Sequence, residues 1–166
     1  MTNDSKQDNA KDKIGVMFVC LGNICRSPMA EFVFADMVKK MGKEHIFRIA
    51  SAATSYEEEG SGVHRGTLSK LKAEGIGVYP HCATVLSRSD GNRYDYVLGM
   101  ETRNVNAIRR ILGENSKAHV CRLLDFSDCP RDIADPWYTG NFDVTYDDIA
   151  EGCAAFLGCL EREGKI

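Results

Sequence analysis

The feature that most constrains this chain is the stretch Val19-Cys20-Leu21-Gly22-Asn23-Ile24-Cys25-Arg26-Ser27-Pro28. An apolar run rich in β-branched and aromatic residues, Ile14 to Val19, precedes it and reads as a buried strand. Beyond it, Met29, Phe32, Val33, Met37 and Met41 recur at helical spacing, which predicts a helix over Met29 to Met41, stopped by Gly42. Ser27 followed by Pro28 reads as the start of that helix, a capping hydroxyl and then a proline in the first turn. The stretch is therefore a short strand-to-helix loop. Its backbone N–H groups and the helix N-terminus converge on one concavity that suits an anion of phosphate shape.

Side chains add chemistry to this nest. Cys20 sits at the strand end, where the helix N-terminus and Arg26 both favour a thiolate. Arg26 offers a planar fork that matches two phosphate oxygens at once. Ser27 can donate a hydrogen bond to the sulfur. Five residues separate Cys20 from Arg26, enough to wrap a tetrahedral anion above the sulfur. Gly22 and Asn23 tolerate the left-handed backbone that such a wrap calls for. A thiolate held there can attack phosphorus, but the ester oxygen leaves far more easily once protonated, so a carboxylic acid above the loop is required. Asp135 is the candidate, because Pro136 stiffens the turn after it and Trp137 and Tyr138 supply ring surfaces. Asp125, Asp128 and Asp132 are nearby competitors without that setting. The cradle and Arg26 neutralise the dianion, so neither a metal nor another cofactor is expected.

The rest of the chain supplies a scaffold. Met1 to Lys13 is polar, without apolar periodicity, and is expected to be a disordered tail, leaving 14–166 as a single domain. Further strands are expected at Phe47 to Ser51, Tyr94 to Met100 and His119 to Leu124. Helices are expected at His64 to Glu74, Glu101 to Leu112 and Tyr146 to Arg162, the last opened by a Thr145/Asp148 capping box. Strands alternating with helices give an α/β fold, a parallel sheet covered by helices on both faces. Ser51 to Ser55 then crosses the carboxyl ends of the strands, where open α/β sheets bind ligands. Glu57, Glu58 and Glu59 read as a solvated run, and His64 and Arg65 as surface residues.

The net charge of −3 argues against a nucleic-acid partner, and no apolar run approaches the length needed to span a bilayer. Seven cysteines, an odd number, without paired metal-ligand spacing and without an apolar leader, favour reduced thiols and a cytoplasmic location.

Cys20 to Glu31, Cys-Leu-Gly-Asn-Ile-Cys-Arg-Ser-Pro-Met-Ala-Glu, resembles the phosphate-binding loop of low-molecular-weight protein tyrosine phosphatases. The resemblance continues through Ser51 to Ser55, His81, Tyr94 to Val97 and Asp135 to Tyr138, nearly the whole chain after the tail. It implies a four-stranded parallel sheet of order 2-1-3-4 and hydrolysis of protein phosphotyrosine through a phosphocysteine. Cys20, Arg26 and Asp135 would be catalytic, and Leu21 to Ser27 would bind the phosphate. His81 would support Asn23, with Ser51 completing the trio. Ile24, Tyr56, Trp137 and Tyr138 would flank an aromatic phosphoester. Threonine at the Ile24 position is associated in the family with phosphoarginine, so isoleucine favours phosphotyrosine. The family also uses a cysteine at the Cys25 position as the redox partner of the nucleophile. A monomer or weak dimer is expected.

Two rivals make different demands. An arsenate reductase on the same fold needs relay cysteines after the third strand, where Leu98-Gly99-Met100-Glu101-Thr102 has none. A non-catalytic phosphate-binding module needs neither Cys20 nor Asp135, and both are present.

Overall fold

The computed structural model describes residues 13–166. The expected tail therefore lies, apart from Lys13, outside the described residues. In chain order the elements are β1 (Ile14–Cys20), α1 (Arg26–Lys40), β2 (Phe47–Ala53), α2 (Arg65–Ala73), α3 (Asp90–Arg93), β3 (Tyr96–Gly99), α4 (Thr102–Leu112), β4 (His119–Arg122), α5 (Pro136–Thr139) and α6 (Phe142–Arg162). Short 3-10 turns occupy Glu44–Ile46 and Leu123–Phe126. The sheet has four parallel strands in the order β2-β1-β3-β4.

Alternation along β1 shows why this strand is central. Val16, Phe18 and Cys20 enter the larger core, which α1 and α6 cover with Met29, Phe32, Phe34, Phe156 and Leu160. Met17 and Val19 enter the smaller core, closed by Ile108 and Leu112 of α4. Both sheet faces are thus dry, as a parallel sheet requires. Phe34 meets the rings of Phe18, Phe47 and Phe156 at centroid distances of 5.5, 5.2 and 5.7 Å, joining β1, β2, α1 and α6. From β1 the chain runs outward to β2 and later returns to β3 on the other side. Cys20 therefore ends its strand beside the point where the winding reverses, the place where such sheets open a ligand crevice.

Two expected helix starts are corrected. Helix α1 begins at Arg26, with Cys25 in the N-cap position and no side-chain cap, so Ser27 lies inside the helix. Its hydroxyl is committed to Cys20 and Asn23 instead. Helix α6 begins at Phe142 and is capped by Asn141, which accepts from the Val144 N–H at 3.1 Å. The Thr145/Asp148 box does not form, because Thr145 donates to the Ala134 carbonyl and Asp148 pairs with Arg131. Among the described residues no helix is long and apolar enough to cross a membrane.

Candidate active site

The loop after β1 turns through Asn23, whose φ of 58° is the left-handed conformation anticipated for Gly22 or Asn23. Asn23 is fully buried, and every polar atom of its amide is used. The Thr84 N–H donates to its Oδ1 at 3.2 Å, which fixes the amide orientation. His81 Nε2, 3.1 Å from the same oxygen, is then a donor. The amide nitrogen in turn donates to Ser27 Oγ at 2.7 Å and Ser51 Oγ at 2.9 Å. Ser51 sends its proton onward to Glu31 Oε1 at 2.7 Å, while Ser27 Oγ lies 3.1 Å from Cys20 Sγ and 3.4 Å from the Ala52 carbonyl. The Asn23 N–H also lies 3.3 Å from the sulfur. The Asn23 N–H and the Ser27 hydroxyl thus both face the Cys20 sulfur.

The loop carbonyls are tied outward. Cys20 and Leu21 accept from the N–H groups of Thr54 and Ser55, both at 3.0 Å, in the segment after β2. Ile24 accepts from the His64 N–H at 2.8 Å, and Cys25 from the Thr67 hydroxyl at 3.1 Å, both at the start of α2. In a planar trans peptide the next N–H points opposite to the carbonyl. Each outward carbonyl thus turns the following amide, that of Leu21, Gly22, Cys25 or Arg26, toward the inside. The N–H groups of Leu21, Gly22, Ile24 and Cys25 have no protein acceptor among the described residues. The uncapped first turn of α1 adds to this set of free donors.

Arg26 is 2% exposed, and both terminal nitrogens of its guanidinium are held. One terminal nitrogen donates to Glu101 Oε2 at 3.1 Å and the Ile133 carbonyl at 2.9 Å, and the other to Asp135 Oδ2 at 3.3 Å. Asp135 caps α5, its Oδ1 accepting from the Trp137 N–H at 3.0 Å, which sets the carboxyl in place. Cys20, Arg26 and Asp135 line one cavity of about 130 Å³, together with Leu21, Gly22, Ile24, Cys25, Glu57, Glu58, Trp137 and Tyr138. The competing carboxylates lie elsewhere: Asp125 and Asp132 pair with Arg122, and Asp128 lines a groove beside Phe126. Tyr56, expected on the cavity wall, instead lines an adjoining groove with Val85, Leu86 and Ile111, and the cavity side of that loop is formed by Glu57 and Glu58.

Cys25 is buried and unbridged, as is Cys20. Burial first, then the negative charges of Asp135 and Cys20, push the Cys25 thiol up to about 12. Cys25 is thus held as a thiol beside a sulfur, that of Cys20, which faces the Asn23 N–H.

Sequence reasoning missed Glu31, Tyr79 and Glu101. Glu31 is 4% exposed and accepts from Ser51 and from the Tyr79 hydroxyl at 2.5 Å. Burial, and then the bond to Glu31, raise the Tyr79 phenol well above its ordinary value. Only one trace was available: Glu31 falls on the buried side of α1, among Phe32, Val33 and Phe34.

The family model described as low molecular weight phosphotyrosine protein phosphatase matches residues 15–166. The low molecular weight protein-tyrosine-phosphatase YfkJ of Bacillus subtilis is 38% identical over 156 residues, covering 92% of this chain and 99% of the relative. A low molecular weight phosphotyrosine protein phosphatase of Saccharomyces cerevisiae is 38% identical over 141 residues, covering 82% and 87%. The crystal structure of YfkJ superposes with a TM-score of 0.86, covering 91% of this chain and 96% of that one. That of a Streptococcus pyogenes low molecular weight protein tyrosine phosphatase gives 0.78 at 36% identity, covering 89% and 93%.

Proposed function

This chain belongs to the low molecular weight phosphotyrosine protein phosphatase family, and from that membership we propose that it hydrolyses phosphotyrosine in proteins through a phosphocysteine intermediate. The observation that carries the proposal is the convergence of Cys20, Arg26 and Asp135 on one cavity. The Cys20 thiolate attacks phosphorus in line with the leaving oxygen. Arg26 and the N–H groups of Leu21, Gly22, Ile24, Cys25 and Arg26 hold the equatorial oxygens while charge redistributes over them. Asp135 gives its proton to the departing phenolate. The same carboxylate, now ionised, then draws a proton from the water that cleaves the sulfur–phosphorus bond, releasing phosphate and restoring Cys20.

Cavity depth sets the choice of substrate. A phosphotyrosine ring reaches from the loop floor to Asp135 between Ile24, Trp137 and Tyr138, whereas phosphoserine is too short. The reading extends to a cytoplasmic monomer or weak dimer, which size-exclusion chromatography of the purified chain would check.

A panel of peptides carrying phosphotyrosine, phosphoserine or phosphoarginine tests the proposal on three proteins. The wild type should hydrolyse phosphotyrosine preferentially. Asp135→Ala should lose about 10²–10⁴-fold in kcat on aryl esters. Cys20→Ser should be inactive with an unchanged fold. Turnover by pure Cys20→Ser would remove Cys20 from its role.

Cys25 gives the site a redox partner in this proposal. Peroxide converts the Cys20 thiolate to a sulfenic acid, and the Cys25 sulfur displaces water from it to form a disulfide. Oxidation also removes the Cys20 charge that helps hold the Cys25 proton. Peroxide-treated wild type should regain activity with dithiothreitol, and Cys25→Ser should not. Equal recovery of the two would dismiss the partnership.

A further inference from the structure

We propose that His64 is a positioning residue that couples the phosphate loop to the aromatic wall and so sets the width of the slot between Ile24 and Trp137. The inference rests on the reading of Trp137 as a substrate wall. Four contacts meet at this half-buried residue. Its backbone N–H holds the Ile24 carbonyl at 2.8 Å, which turns the Cys25 N–H into the cradle. Its Nδ1 accepts from the Gly66 N–H at 3.0 Å, which caps α2 and orients the ring. That ring lies face to face with Phe142, centroids 5.4 Å apart and planes 18° apart, and meets Trp137 edge to face at 5.7 Å and 80°.

Trp137 needs such a support. The residue is 58% exposed, so burial does not fix its ring, and the bond from its backbone N–H to Asp135 leaves the side-chain torsions free. The imidazole is the aromatic ring that the described residues place against it. Phe142 backs the imidazole from the far side and is itself held close to α2. A Cβ at Gly66 would lie 2.3 Å from the Phe142 ring, so this approach exists only because residue 66 is glycine. One turn later Thr67 holds the Cys25 carbonyl. The first turn of α2 thus grips two successive peptides of the cradle by hydrogen bonds and braces the wall by ring contact. A shift of this turn moves the floor and the wall of the slot together.

Trp137 is the single tryptophan of the chain, so its fluorescence reads the wall directly and independently of turnover. His64→Asn keeps an acceptor for the Gly66 N–H and removes the ring. His64→Phe keeps a ring and removes the acceptor. For His64→Asn the Trp137 emission and anisotropy should change. KM for para-nitrophenyl phosphate should rise about 3–10-fold, the scale of one aromatic pair. Inhibition by inorganic phosphate, which contacts only the floor, should stay within about twofold of wild type, and kcat should change less than KM. His64→Phe should keep the wild-type emission and raise KM less, while its thermal midpoint falls through loss of the cap. Phe142→Leu, which removes the support behind the imidazole, should move the emission in the same direction as His64→Asn and covers the case in which that variant does not fold. Wild-type emission and KM in His64→Asn, or an equal change in His64→Phe, would overturn the inference. Failure of the wild type to hydrolyse aryl phosphates would instead overturn the proposed reaction and leave the fluorescence result standing.

Discussion

At the scale of single residues, Asn23 shows how much one side chain settles. Among the described residues it is the one non-glycine with positive φ. Its amide accepts from His81 and Thr84 and donates to Ser27 and Ser51, so the loop turn and the thiolate's donors are fixed by one group. Asn23→Ala leaves buried partners unsatisfied and keeps a left-handed residue without the local bonding that eases it. It should lower stability by about 1–3 kcal/mol, read by urea denaturation, and lower kcat by about 10–100-fold. Unchanged kcat would show that the cradle shapes itself without the amide. The cradle was legible in the sequence because cysteine, glycine, asparagine and arginine at these spacings each answer a local demand. Glu31 and Glu101 were not, because a carboxylate whose partners lie far away in the sequence has no local signature. Arg26 and Glu101 are 75 residues apart, and only folding brings them together. His64 was read as a surface residue for the same reason, since its partners Ile24, Trp137 and Phe142 are brought to it by three different segments.

Elements were legible where periodicity is strong and less so where a polar side chain had two possible uses. The strands and long helices follow the apolar pattern, and the order of the sheet follows from the family resemblance. Ser27 looked like a cap, but in place its oxygen serves Asn23 and Cys20, and α1 starts two residues earlier, at Arg26, without a side-chain cap. The short helix α5 escaped because four residues carry no periodicity. Glycines within α6 give a test in which packing and propensity predict opposite signs. A helix-interior glycine costs about 0.5–1 kcal/mol relative to alanine. At Gly158 a Cβ would meet only the mobile end of Arg162 at 3.3 Å, so Gly158→Ala should stabilise by about that amount. At Gly152 it would lie 2.6 Å from Cγ of Leu123, a fully buried side chain. Gly152→Ala should therefore destabilise by about 1–3 kcal/mol despite its better propensity. Thermal or urea unfolding of the pair reads both signs, and stabilisation by both would mean that Leu123 yields freely.

At the scale of the whole molecule, the site joins opposite charges at two depths. Arg26 and the free amides form an anion-attracting floor, while Glu57 and Glu58 form an acidic rim on a chain of net charge −3. Sequence patterning took these glutamates for a solvated run, because three adjacent acids carry no sign of which face they meet. Folding places two of them on the cavity wall. Glu58 is held there, its Oε2 accepting from the Ser61 hydroxyl at 3.0 Å and its side chain passing over Gly22. A phosphotyrosine peptide must bring the residues on either side of its ring past this rim. Acidic flanks then meet like charges within a few ångströms of solvent-screened space, and basic flanks meet opposite ones. The double variant Glu57→Gln/Glu58→Gln should lower KM for an acid-flanked phosphopeptide by about 3–10-fold at low salt and raise it for a lysine-flanked one. Both effects should shrink in high salt, because the Debye length then falls below the separation of the charges. The kcat of either peptide should change less than its KM, since the flanking charges are the same in the bound substrate and in the transition state. Identical KM ratios for the two peptides in wild type and variant, at both salt concentrations, would mean that flanking residues leave the cleft without passing Glu57 and Glu58.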